Sequence, residues 1–440
     1  MLSQIRSVAA GRTVLFGVMA ACACGAWGQC TPGWRAGTAQ TDVNGSIRWL
    51  KMWDPDGAGP QSPVLVAAGD FTTAGGTAAN RIASWDGAAW SALGSGLDGG
   101  GYCLASLSSN NALYVCGAGF TMAGGNPAKR IAQWDGATWT DLGTGSGNVP
   151  TLALLTVLAA NSNTIVVSGA FTEVAGVPAN RIAAWNTSTG WSALGTGMSS
   201  TTSATAVLHN GDIVAGGAAL TTGDGAVTLN RIGRWDGTNW NAMGTGMSGL
   251  VRCLLVMPNG DLIAGGAFVT AGDVTVNRIA RWDGAAWSAL GTGMDVDVYA
   301  LAVMPNGDLV AAGDFTTAGG HPALRMARWN GTDWSAMGSG FPAVVRTLEV
   351  LPDGDLAAGG DFTTAGGLPA QRFAIWSDRN MADFNGDGDV GTDADIGDFF
   401  ACLSGTCCPT CLSADFNSDG DVGTDADIES FFRVLAGGSC

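Results

Sequence analysis

Seven copies of one short signature, Arg-x-Ala/Gly-x-Trp, run through most of this 440-residue chain at Arg81–Trp85, Arg130–Trp134, Arg181–Trp185, Arg231–Trp235, Arg278–Trp282, Arg325–Trp329 and Arg372–Trp376. Successive tryptophans stand 47 to 51 residues apart. Near-constant spacing at this length means that one supersecondary unit is repeated, and that each unit buries its apolar face on the next. Four short apolar segments fit into one period. In the sixth copy they are Val298 to Met304, Leu309 to Phe315, Leu324 to Trp329 and Trp334 to Met337, separated by Asn-Gly turns and one Thr-Thr-Ala-Gly-Gly-His-Pro-Ala loop. That is the pattern of a β-propeller blade. The expected fold is all-β, a seven-bladed propeller.

The signature has a physical reading. If Asp86-Gly87 is a two-residue hairpin turn, Trp85 faces Ala88, Trp90 faces Ala83, and both indoles lie on one face of the blade. Each buries on the order of 200 Å² against the next blade. The recurring arginine is expected on the same face, as a structural fork of donors for loop carbonyls or a carboxylate; a ring of arginines around an anion is the competing reading. After Trp376 the seventh copy has no second tryptophan. The fourth-strand pattern reappears at the other end of the chain, at Pro32–Gly37, with Trp34 in the place of Trp90. An N-terminal strand there would complete the last blade and close the ring.

The double glycine that ends the second strand, followed by aromatic residues on the third and fourth, resembles the kelch-type propeller repeat over about four-fifths of the chain. The resemblance implies either a binding protein or an enzyme. Tryptophan stands where the third-strand aromatic of that family is usually tyrosine.

Composition sets the remaining limits. Glycine, at 69 residues, shows no Gly-X-Y period and therefore marks turns. Arg6 and Arg12 precede an apolar run from Val14 to Ala23 and an Ala26-Trp27-Gly28 cleavage pattern, so residues 1–28 read as an export signal, too short to span a bilayer. Met19-Ala20-Ala21-Cys22 is a weaker, lipoprotein-type alternative. Secretion or the cell surface is expected, with no transmembrane segment. Cleavage after Gly28 leaves nine cysteines in an oxidising compartment, an odd number that requires at least one thiol outside any internal bridge. Cys103 and Cys116, on adjacent strands of the second blade, can bridge.

The propeller is assigned to residues 29–378 and a linker to 379–382. Residues 383–440 hold 12 acids and one base, a net of −11 out of −17 for the whole chain. Such a segment repels nucleic acid and attracts cations. Within it Asp383–Ile396 repeats as Asp415–Ile428, 32 residues later. Asp383, Asn385, Asp387 and Asp389, with their counterparts Asp415, Asn417, Asp419 and Asp421, place oxygen ligands around a sharp glycine turn, as a calcium loop requires. Ala394 and Ala426 stand where the closing acid belongs, so Asp395 and Asp427, one residue late, complete the loop, or Asp393 and Asp425 do. Each loop leads into an apolar helical pattern: Ile396, Phe399, Phe400, Leu403, then Ile428, Phe431, Phe432, Leu435. Cys402, Cys407, Cys408 and Cys411 could form a four-thiolate metal cluster, but export favours disulfides among these and Cys440 as staples for this small module.

These paired loops and helices resemble a dockerin module, of the cysteine-bearing GC type. The resemblance implies a cohesin-like partner or a surface anchoring protein, contacted through Thr392 and Asp393 and through Thr424 and Asp425. Catalysis finds little support, since His209 and His321 lie near no nucleophile signature. Asp70, Asp314 and Asp361 share one Gly-Asp-Phe position in blades that ring closure makes neighbours; a turn or loop cap is the commoner role for such an aspartate, and a ligand or cation site is the sharper reading. The tight turns fall on one face and the longer loops on the other, where a glycan or protein ligand is expected. The sequence points to an exported, non-catalytic binding propeller anchored by calcium; a dockerin-borne carbohydrate-active enzyme and a structural surface protein are the alternatives.

Overall fold

The computed structural model describes residues 33–378, apart from 36, 102, 118, 143–155, 162 and 219–220, together with 393–403 and 428–432. The chain divides into two compact units, Pro32–Asp378 and one that includes Arg379–Cys440. The first contains seven four-stranded antiparallel sheets. The first strands of successive sheets touch one another in an unbroken cycle, so each sheet is a blade radiating from a common axis.

The ring closes as expected. Gly33–Trp34 forms the outermost strand of the last blade, with Trp34 paired to Trp376 and Gly33 to Ser377. The apolar core is divided into layers between blades. One layer joins Leu65, Trp85 and Trp90 of the first blade to Ala357 and Phe373 of the last. The fourth-strand tryptophans act as staples: Trp139, Trp240, Trp287 and Trp334 each donate an indole N–H to a Leu or Met carbonyl of the preceding blade, at 2.9–3.0 Å. Trp34 does the same to Met337 at 3.2 Å, so the borrowed strand also carries the packing role.

Three local expectations change. Trp85 lies opposite Trp90, and Ala83 opposite Ala92, so the reversal between the two strands contains four residues. The Asp86 carboxylate accepts N–H groups from Ala88 and Ala89 at 2.9 and 2.8 Å, which holds a wider turn than a two-residue hairpin. The indoles still share one face, 5.4 Å apart. Second, the signature arginine is not a strand residue. All seven have left-handed backbones, with φ from 63° to 75°. At Arg325 the N–H donates to Phe315 O and the carbonyl accepts from Gly313, so the arginine sits at the mouth of the loop where the third strand begins. Its guanidinium holds the Phe341 carbonyl at 2.9 Å, as Arg181 and Arg231 hold Met198 and Met247. The structural reading of this arginine thus stands, by a different geometry.

Third, the loose loop after the second strand contains a miniature hairpin, such as Thr317–Ala318 with His321–Pro322, in six of the blades. Among the described residues, four of these hairpins are bridged by the segment that follows the preceding blade, as Ala318 is by Met294. The longer loops are therefore woven into their neighbours and have less freedom than their length implies.

The Cys103–Cys116 bridge is formed, between directly opposed residues with Cα atoms 5.3 Å apart. Cys253 is a free thiol. In the second unit a helix covers Asp393–Leu403 and a helical turn covers 428–432, where the apolar patterns expected helices. Phe399 and Phe431 stack face to face with ring centroids 3.8 Å apart.

Candidate functional site

Five inner strands share an irregularity. Their register against the second strand skips one residue, at Arg48, Ser203, Arg252, Tyr299 and Arg346. A β-bulge of this kind leaves one residue unpaired and re-aims its side chain. The glycine ending the second strand permits it. A Cβ on Gly69 or Gly313 would lie 2.1 Å from the carbonyl oxygen of Ser46 or Asp297, the residue that leads into the inner strand. The glycine that ends each of these second strands is thus a record of close backbone approach beside the bulge.

The bulged residues sit at the start of their strands, so they ring the channel mouth on the face with the longer loops. Across the fifth, sixth, seventh and first blades they form a charged arc. Arg252 donates from Nε and Nη2 to Asp297 of the next blade at 2.9 and 2.8 Å, and lies 4.8 Å from the Tyr299 ring centroid. Arg346 binds Asp361 in the same forked manner. Asp361 also accepts from Ser46 Oγ of the first blade, where Arg48 binds Asp70 at 2.8 Å. Burial by itself would raise the Asp361 pKa. Hydrogen bonds from Arg346 and Ser46 and the charges of Arg346 and Arg48 outweigh it and hold the carboxyl below its ordinary value. Such a group is a poor proton donor.

Below the mouth lies a channel cavity of about 380 Å³, walled by inner strands. Trp49, Leu254, Leu301 and Leu348 supply apolar wall, while Ser203 and a Lys51–Glu349 ion pair of 2.8 Å supply polar groups at other points. With the arginines that underlie the arc, five guanidinium groups (Arg48, Arg252, Arg278, Arg325, Arg346) meet four carboxylates (Asp70, Asp297, Asp314, Asp361), and a sixth, Arg372, donates to the Asp361 and Phe362 backbone carbonyls. The mouth is therefore a cationic spot on an acidic chain.

Of the three aspartates singled out from the Gly-Asp-Phe position, Asp70 and Asp361 are brought together around Arg48. Asp314 instead lies 3.4 Å from Arg325. Each of the three has an arginine partner. The loop residues Asp383, Asn385, Asp387, Asp389, Thr392, Asp415, Asn417, Asp419, Asp421, Thr424, Asp425 and Asp427 lie outside the described residues, and Asp393 and Asp395 fall in the first turn of the helix. Sequence reading passed over Arg48, Arg252 and Arg346. The signal was present: an arginine second in an otherwise apolar inner strand, in Ile-Arg-Trp-Leu, Val-Arg-Cys-Leu and Val-Arg-Thr-Leu.

No family model matches the sequence, and no curated protein does. Solved structures do match. The chain is similar to the WD40 beta propeller domain of Doa1, with 14% identity and a TM-score of 0.50 over 80% of this chain and 98% of that one. It is also similar to the extracellular domain of a putative hybrid two component system from B. thetaiotaomicron, at 9% identity and TM-score 0.52 over 80% of this chain and 42% of that one. The fold is a seven-bladed β-propeller. At these identities the likeness concerns the propeller's architecture, and its ligands must be argued from its own residues. Among the described residues no helix is long and apolar enough to cross a membrane.

Proposed function

We propose that the chain is an exported, non-catalytic propeller that binds a glycan or a protein ligand at its channel mouth and is anchored through a calcium-dependent, dockerin-like tail. The observation that carries the first half is the asymmetry of the mouth. The blades repeat their packing residues closely, yet the bulged positions differ, with arginine in three, tyrosine in one and serine in one. Variation at the rim of a rigid scaffold is where recognition is expected. The arginine-paired carboxylates favour binding over acid–base chemistry.

The tail reading and its kinship to cysteine-bearing dockerins rest on the duplicated loop, and the kinship of the blades to kelch repeats rests on the glycines that end the second strand and the aromatic residues after them. The stacked phenylalanines support it, because they join the two apolar patterns the duplication creates. The test uses the full chain on glycan and protein arrays, in calcium and then in EDTA. The reading expects ligand retained without turnover in both conditions, and a cohesin-like or surface partner retained only in calcium. Release of soluble products from a bound polysaccharide would replace it with an enzyme.

A further inference from the structure

The channel and its rim carry a more specific ligand than the face as a whole. Arg252 and Arg346 each commit Nε and Nη2 to one aspartate, and neither Nη1 has a hydrogen-bond partner among the described residues. Each guanidinium is therefore fixed in direction before any ligand arrives, with one donor edge left open. Fixed donors lose little entropy on binding. Arg252 is held further by its position over Tyr299. The cavity beneath them is amphipathic: an indole and leucines on its wall, with Ser203 and the Lys51–Glu349 pair among them. About 380 Å³ suits one or two small rings. A molecule matching this set has an oxyanion at one end, hydroxyl groups along its length and an apolar C–H face.

We infer that the channel mouth is the binding site of a short acidic saccharide, whose carboxylate or sulfate meets the open edges of Arg252 and Arg346 while its sugar ring enters the channel beside Trp49. The inference rests on the binding-propeller reading and narrows its ligand. Oxyanion recognition by two oriented guanidinium groups discriminates strongly against a neutral ring of the same shape.

The test is calorimetric titration of the full chain with digalacturonate, a sulfated galactose disaccharide and neutral galactobiose. At least one acidic disaccharide should bind about tenfold or more tightly than the neutral one, and its affinity should fall with added salt. A preference between the two acidic sugars identifies the oxyanion and supports the site either way. Arg252→Gln and Arg346→Gln should each weaken the acidic ligand about tenfold and the neutral sugar by less, so that the acidic-over-neutral preference falls. If either variant fails to fold, Leu301→Trp, which narrows the channel and leaves the arginines in place, should abolish binding instead. Equal binding of acidic and neutral sugars, unchanged by the glutamine variants, overturns this inference and leaves the binding propeller standing. Absence of disaccharide binding alongside capture of a longer glycan or a protein on the arrays also overturns it alone. No ligand on any array sinks both.

Discussion

Arg35 Nη2 lies 2.5 Å from Asp355 Oδ2, joining the N-terminal strand to the first turn of the last blade, 320 residues away. In the three preceding blades the matching turn aspartate is met from its own third strand, by Arg234, Arg281 and Arg328. The last blade has Ile375 at that place, and the Arg35 backbone pairs directly beside it. The N-terminal strand thus returns the guanidinium that the third strand lacks. The Asp355 side chain is 1% exposed and Arg35 47%, so removing the cation strands a buried carboxylate that Ser377 continues to hydrogen-bond. Arg35→Ala is expected to cost about 1–2 kcal/mol, below the range for a fully buried pair. Trp34→Ala, which removes the staple as well, should cost about 3–5 kcal/mol. Denaturant unfolding followed by tryptophan fluorescence measures both, and equal losses would contradict this division of roles.

The left-handed arginines make a comparison possible. At position 325 any residue with a side chain bears the strain of positive φ, and only arginine offsets it by holding the Phe341 carbonyl. Arg325→Ala retains the strain and loses the bond, whereas Arg325→Gly loses only the bond. The glycine variant should be more stable than the alanine variant by about 1 kcal/mol. The reverse order in thermal melts would show that the backbone is not left-handed there.

Acid should loosen the loop face. Asp361 has a folded pKa below its unfolded value, so its stabilising contribution is complete above about pH 4 and is lost as pH falls through the depressed folded value. The turn carboxylates Asp135 and Asp283, whose pKa values are lowered chiefly by backbone N–H donors, act in the same direction. The melting temperature should be level from about pH 5 to 8 and fall below about pH 4. Asp361→Asn should lower it at neutral pH and match the parent at the acid end. A constant gap across the pH range would show that the carboxylate's charge is not what matters.

Cys253 provides a check on the channel wall. Burial, partly opposed by the Gly265 N–H and the Arg252 charge, pushes its thiol up to about 12. Alkylation near neutral pH should therefore miss Cys253 in the native protein and reach it after unfolding, as peptide mass mapping would report. Rapid native labelling would place the thiolate in an open, cationic environment instead.

Calcium removal separates the two units. If the duplicated loops hold the ion, chelation should abolish the helical signal of the tail while propeller tryptophan fluorescence stays native. Tail structure that is insensitive to chelation would remove calcium from the account.

Much of this fold was legible because a propeller writes its period into the sequence. The missing seventh tryptophan pointed to Trp34, and the alternation of short turns with longer loops separated the two faces. What escaped depended on backbone geometry. Asp86-Gly87 looks like a two-residue hairpin, and the side-chain cap that widens it is a matter of a few hydrogen bonds. Arg325 reads as a strand residue, since its left-handed backbone is imposed by the paired bonds to Phe315 and Gly313. The bulges were least visible: one unpaired residue in a six-residue strand changes no hydrophobic pattern, yet it turns Arg252 and Arg346 toward the channel mouth. The aspartates were noticed through their repeated motif, and their arginine partners passed as ordinary variation in an apolar run.

The pairing of Gly33 with Ser377 also constrains the order in which the molecule can be completed. A chain made from its N-terminus produces this strand first and its partner last. Six blades can assemble by contact with their immediate predecessor while residues 33–35 stay without a place in any sheet. Closure then resembles fastening a belt, with the buckle made at the beginning of synthesis and the last notch at the end.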